Sequence, residues 1–456
     1  MPRSSRAGLH FLILSLAFAF IALMFAHPSS ANVIGTNVIA KAVTRDRIAS
    51  LPKKERKAWL AYLERSEKQK VLDKQVLQSE QKAAGNTNPQ HAPAGRGAFA
   101  LRIEHPADWY ASEEALRIAH NVITYQVPDG GWSKNIDMAS HPRAPGDFYD
   151  TDNLNRFSDP SDFDKPVDPN WHYIATLDND STWMQIRFLA RVATALLAAH
   201  RNADAIPVRI SVERGVEYLL KAQYPNGGWP QVWPLEGGYH DAITINDGAM
   251  LHAIEILRDV ASGAPDYAFL PAALARQAEP AAQHGIDCLL NLQIVENGVK
   301  TAWAQQYDAL TLDPTSARNY EMASICSDES FAIMEFLMQV PNPTPAEIAA
   351  VHAAAAWTAK VAISGYRFGS GDFRADRSSP DGRRLVALAG AGPIWARYYQ
   401  TGTDKPIFGD RDKTIHDDVN DLSRERRNGY AWFNTEGVAV LAQYKDWAQT
   451  HPRSAN

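Results

Sequence analysis

The sequence predicts a mainly α fold: an (α/α) toroid, an incomplete α/α barrel with short β elements in its loops. Three observations carry this. Segments with apolar residues at three-four spacing recur along the chain, and cleanly alternating strands are scarce. One turn also repeats, Gln126-Val-Pro-Asp-Gly-Gly-Trp132 returning as Gln223-Tyr-Pro-Asn-Gly-Gly-Trp229. Each copy follows a helical segment. Pro-Asp-Gly and Pro-Asn-Gly favour tight turns, with Gly supplying the positive φ. Gly-rich turns that close outer helices, with Trp packed behind them, suit helical hairpins stacked around a ring.

Taken in order, residues 1–31 read as an export signal. Arg3 and Arg6 precede an apolar run from Leu9 to Ala26, and His27-Pro28-Ser29-Ser30-Ala31 supplies a break and small residues. Cleavage there gives a periplasmic or secreted protein with no membrane attachment; an uncleaved anchor is the alternative. Residues 32–97 form a charged N-terminal arm and linker. Within them Leu51 to Glu80 reads as an amphipathic helix or an extended arm, and Asn86 to Arg96 as the linker. The toroid occupies residues 98–456. Its helical segments are Glu113–Gln126, Ser181–Arg201, Val208–Gln223, Asp247–Ser262, Ala272–Leu292, Asp328–Gln339, Pro345–Ile363 and Thr435–Gln449.

Composition narrows the function. A net charge of −6 gives no nucleic-acid footprint, and 45% apolar with 21% charged residues is the balance of a globular chain. Two cysteines, Cys288 and Cys326, exclude a disulfide-dense scaffold and a four-cysteine zinc site; two buried free thiols are expected. A monomer is expected. There is no His-Glu-x-x-His, no Gly-x-Ser-x-Gly and no Walker A loop.

What remains is Asp, Asn, Lys and Arg in aromatic loops. Lys134 follows the first repeated turn, where it could meet an acidic ligand. Thr176-Leu-Asp-Asn-Asp-Ser-Thr182 and Thr244-Ile-Asn-Asp-Gly-Ala-Met250 each open a helix. Their Asp and Asn residues suit either helix N-capping or a hard cation such as calcium, which takes carboxylate and amide oxygens. Arg318, Arg397 and Arg411 stand among aromatic and acidic residues, where a guanidinium can grip a carboxylate in two-pronged fashion or pair within the protein. Arg424, Arg426 and Arg427 read as a surface run.

Together these motifs resemble the family 10 polysaccharide lyases that act on pectate. The matching residues are Gly130-Gly-Trp-Ser-Lys-Asn135, Thr176-Leu-Asp-Asn179, Tyr224-Pro-Asn-Gly-Gly-Trp-Pro-Gln231 and Ile243-Thr-Ile-Asn-Asp-Gly-Ala-Met250. They continue through Ala317-Arg-Asn-Tyr-Glu321, Trp395-Ala-Arg-Tyr-Tyr399, Arg411-Asp412 and Glu425-Arg-Arg-Asn-Gly-Tyr430. The resemblance implies cleavage of polygalacturonate by β-elimination with calcium. It implies Arg411 as the base with Arg397 as the backup, and Asp247 first for calcium, with the catalytic Asp178 beside it on the ion or in contact with substrate. Lys134, Asn179, Arg318, Arg397 and Tyr320 are expected to meet substrate. Two departures stand out: Gln306-Tyr307-Asp308 where Gln-His-Asp is expected, and Ser327-Asp328 where Ser-Gly is expected. A uronate-binding protein without turnover, a toroidal terpenoid cyclase and a two-carboxylate glycosidase are the competing readings.

Overall fold

The repeated turn sets the architecture. In the computed structural model, which describes residues 32–95, 101, 103–151, 159, 161–369 and 382–453, the Gln126 amide donates to Gly130 O and to Ser211 O of a later helix. Gln223 repeats this with Gly227 O and Ala281 O. A third copy, hidden in the sequence, uses Gln293 with Thr301 O and Ala350 O. The Trp of each copy donates its indole N–H back to the helix just ended: Trp132 to Val122 O, Trp229 to Leu219 O and Trp303 to Leu289 O. Each outer helix thus ends in a turn that grips the next outer helix. Glycine is required there. A Cβ on Gly130 would lie 2.3 Å from Arg214 O, and one on Gly227 2.2 Å from His284 O.

The helices follow as α1 (Arg45–Ala49), α2 (Lys53–Ala84), α3 (Glu113–Thr124), α4 (Trp183–Ala198), α5 (Asn202–Ala222), α6 (Ala249–Ser262), α7 (Ala272–Leu292), α8 (Ser327–Met338), α9 (Pro345–Lys360), α10 (Arg424–Gly429) and α11 (Gly437–Thr450). Successive pairs α4/α5, α6/α7 and α8/α9 pack as hairpins, and α11 packs on α8 and α9. This is the expected toroid. Helix α5 begins six residues before the expected Val208, because Pro207 lies inside it rather than at its start. All described strands are short and sit in the loops. No described helix is long and apolar enough to cross a membrane, and residues 1–31, where the export signal is expected, lie outside the described residues. Cys288 and Cys326 are buried and free.

The N-terminal arm is packed onto the ring. Strand Val33–Thr36 pairs antiparallel with Thr414–His416. Trp59, Tyr62, Leu63 and Leu77 of α2 join the same apolar core that fills the toroid. Tyr62 and Trp59 pack on Tyr224, and the Tyr62 hydroxyl donates to Ala222 O, 2.8 Å away. Between strand and helix, the Asn37 amide donates to the carbonyls of Arg318, Asn319 and Glu321. The arm therefore braces the loop that carries Arg318.

Candidate active site

The loops that precede the inner helices converge on one polar cavity of about 250 Å³. Lys134, Asp178, Asn179, Asp247, Arg318 and Arg397 all line it, joined by Asp164, Gln231, Asn246, Gln306, Glu321 and Tyr430. Residues up to 296 positions apart, Lys134 and Tyr430, thus meet at a single wall. The helix starts explain why. Neither Thr182, which caps α4, nor Gly248, which caps α6, offers a side-chain cap, and neither Asp178 nor Asp247 fills that role. The N-capping alternative is set aside here, because the carboxylates turn into the cavity instead. Asn179 and Asp247 hold left-handed backbone at φ 51° and 54°. For non-glycine residues that conformation is uncommon, and here it aims their side chains at the cavity.

Electrostatics divides the two aspartates. Burial alone would raise the Asp178 carboxyl, but Lys134, in a close ion pair with it, outweighs this and holds it below the usual range. Lys134 also sits 3.5 Å from the ring centre of Tyr173. Among the described residues no cation forms an ion pair with Asp247, and Arg397 lowers its carboxyl only weakly. Loss of water, followed by the facing Asp178 charge, pushes its carboxyl up to about 7. Arg397 is held by Asp328 at 2.7 Å, Glu329 at 3.2 Å and the Asn246 amide oxygen at 3.3 Å. Burial opposes its charge, yet Tyr430 and Glu329 raise its pKa well above the ordinary guanidinium value. Arg318 is forked onto Glu321, which also accepts from the Tyr430 hydroxyl at 2.6 Å.

Arg411 and Tyr320 are placed differently. Neither lines the cavity. Tyr320 is buried, with the guanidinium carbons of Arg318, Arg411 and Arg426 lying 5.2, 5.5 and 4.0 Å from its ring centre. Arg411 is more than half exposed and forks onto Glu425 at 2.8 and 3.1 Å, and that hydrogen-bonded pair raises its pKa. The expected surface run is corrected in part. Arg426 and Arg427 are buried, one against Tyr320 and the other donating to the carbonyls of Asn420 and Leu422.

The two departures have physical consequences. Tyr307 is fully buried, its hydroxyl accepting from Ala304 N at 2.6 Å, so it fills core rather than meeting the cavity. Asp308 accepts from Arg47 of α1 and so ties down the arm. Asp328 is a direct partner of Arg397, a contact that glycine could not make. Sequence reasoning assigned no role to Asp164, Gln231, Asn246, Glu321 or Tyr430. Four of these stand inside or beside motifs it did single out; Asp164 lies in a loop with no periodic signal.

The donor set fits a hard cation. Two carboxylates meet the amide oxygens of Gln231 and Gln306, both buried and without a hydrogen-bond partner. Among the lining residues, three cationic side chains face four carboxylates, Asp164, Asp178, Asp247 and Glu321.

Comparison with known proteins agrees with this geometry. The family described as Pectic acid lyase matches residues 126–441. A family 10 polysaccharide lyase from Cellvibrio cellulosa superposes with a TM-score of 0.59 at 28% identity, covering 79% of this chain and all of its own. A mutant of a family 10 lyase from the same organism, in complex with trigalacturonic acid, gives a TM-score of 0.60 at 28% identity over 77% of this chain and all of its own. No curated protein matches. On the span of the family match and the cavity it encloses, the chain belongs to the pectic acid lyase family and is a polysaccharide lyase.

Proposed function

We propose that the chain cleaves de-esterified polygalacturonate by calcium-assisted anti-β-elimination, releasing oligogalacturonides with a C4–C5 double bond. The observation that supports this best is the charge of the cavity. Without a metal its carboxylates outnumber its cations, which is unfavourable for a polyanion; one divalent cation reverses the sign. Asp178 and Asp247 would hold calcium, with Gln231 and Gln306 oxygens near. Bound there, calcium supplies the positive charge that offsets the substrate carboxylate.

The rest falls to the chain's own residues. Lys134, Arg318 and Arg397 present cationic donors to the uronate carboxylates, and Asn179 offers an amide beside them. A carboxylate at C5 makes the adjacent proton only weakly acidic, so these charges must be in place before it leaves. Arg411, which shares the Tyr320 ring with Arg318, takes the C5 proton when its guanidinium is neutral. The C–H electrons form the C4–C5 double bond, the C4–O bond breaks, and the glycosidic oxygen departs with a proton from solvent. No water is consumed, unlike the two-carboxylate glycosidases. A free guanidinium loses its proton only in strong alkali, so the reaction runs fastest in alkali. Arg397 suits charge neutralisation better than proton abstraction, because two carboxylates keep it protonated. We place the mature protein outside the cytoplasm, on the strength of its apolar N-terminal run.

The test is ultraviolet absorbance of the unsaturated product as purified protein meets polygalacturonate in alkali, with calcium and with a chelator. A calcium-dependent rise is expected. New reducing ends without absorbance would make the chain a hydrolase, and binding without cleavage would make it a uronate-binding protein.

A further inference from the structure

We propose that Asp164, His172 and His240 form a second metal site, taking a nitrogen-preferring divalent ion such as zinc rather than calcium. The three side chains come from a loop around residues 161–175 and from a short 3-10 turn at Gly238–Asp241. Their candidate ligand atoms lie within 4.8 Å of one another. The imidazoles of His172 and His240 meet edge to face with ring centres 5.0 Å apart, and both are almost wholly buried. His240 Nε2 lies 3.5 Å from Asp164 Oδ1 and makes no hydrogen bond.

Two features distinguish this from a plain ion pair. First, two of the three ligands have hydrogen-bond partners of their own. His172 Nδ1 lies 3.3 Å from the Glu236 carboxylate, itself buried, which places the proton on Nδ1 and leaves the lone pair on Nε2. That carboxylate–imidazole arrangement is the usual outer support of a metal-binding histidine. Asp164 in turn accepts from the hydroxyls of Tyr173 and Tyr239. Second, the donor set is two imidazoles and one carboxylate, which suits zinc and its transition-metal neighbours; Asp178 and Asp247, elsewhere in the cavity that Asp164 also lines, meet only oxygen donors, which suits calcium. Zinc–nitrogen bonds of about 2.0–2.1 Å would draw the ligands closer than they now stand. The ion would then pin residues 161–175, which lead into Asp178 and Asn179, to residues 236–241. Lys70 of α2, 3.6 Å from Glu236, extends the same chain of contacts to the arm.

The experiment uses untagged full-length protein, stripped with a chelator and titrated with Zn2+ alone and with Co2+ alone. One equivalent of each is expected to bind and to raise Tm, with Co2+ giving the visible absorption of imidazole ligation. Saturating Ca2+ should leave that spectrum in place. Asp247→Asn should retain Co2+ binding, His172→Gln and His240→Gln should abolish it, and Glu236→Gln should weaken it by about 10–100-fold. Absence of Zn2+ and Co2+ binding by the folded wild-type protein would overturn the proposal. So would binding that Ca2+ displaces, or binding that survives in a folded His172→Gln, His240→Gln double variant. The readouts are metal content and spectrum, so they stand whether or not the lyase assay succeeds.

Discussion

Replacing Glu425 with Gln separates Arg411 from its partner and tests whether Arg411 is the base. The two side chains are forked at 2.8 and 3.1 Å and are 57% and 56% exposed. The carboxylate stabilises the protonated guanidinium, the opposite of what a base needs. An exposed pair of this kind is worth about 0.2–1 kcal/mol after solvent screening. At about 1.4 kcal/mol per pKa unit, its loss lowers the Arg411 pKa by about 0.1–0.7 units. Below that pKa the neutral fraction grows tenfold per pH unit, so the rate at fixed pH on the alkaline limb rises by up to about fivefold. Initial rates of unsaturated product against pH, for wild type, Glu425→Gln and Arg411→Lys, give the measurement. The position of the limb is the readout, and the plateau is separate, because Glu425 also holds the guanidinium in place. A limb that stays fixed or moves to higher pH in Glu425→Gln refutes the reasoning, as does an Arg411→Ala variant that keeps the wild-type profile.

Asp247→Asn should abolish calcium-dependent activity, a loss of at least about 100-fold in kcat, and calcium titration calorimetry on the folded variant should show no binding at this site. Asp73 of α2 and Asp129 of the first repeated turn form a buried carboxyl pair, with Arg214, Lys221 and Tyr218 nearby; burial first, opposed by the Gln69 hydrogen bond, pushes Asp73 up to about 6. A carboxyl raised on folding favours the native state in acid, and that contribution is lost as pH rises through about 6. Asp73→Asn should therefore raise Tm more at about pH 8 than at about pH 4, and equal shifts in thermal melts would contradict this. Gly227→Ala places a methyl 2.2 Å from His284 O at φ 93° and should cost about 1–3 kcal/mol, seen as a lower denaturant midpoint. Arg47→Ala leaves Asp308 without its arm partner; proteolysis should then release the N-terminal segment faster than in wild type.

What was legible in the sequence, and what was not, follows the range of the forces involved. Helix periodicity and the turn at Gln126 and Gln223 are local, and both led to the toroid. The third turn escaped because a small hairpin at Val295–Lys300 separates Gln293 from Trp303, although all three turns make the same hydrogen bonds. The family motifs located Lys134, Asp178, Asn179, Asp247, Arg318 and Arg397 because each lies in a short, distinctive string. Their partners are another matter. Tyr430 reaches Glu321 across 109 positions and Asn246 reaches Arg397 across 151, and no spacing rule spans such distances. The buried Arg426 and Arg427 show the same limit from the other side. Three arginines within four residues read as a solvated run, yet the ring of Tyr320 and two backbone carbonyls make burial affordable for two of them. Asp164, His172 and His240 share no element and no period. Only the folded loops bring them within reach of one another, so a site of that kind is read from coordinates or not at all.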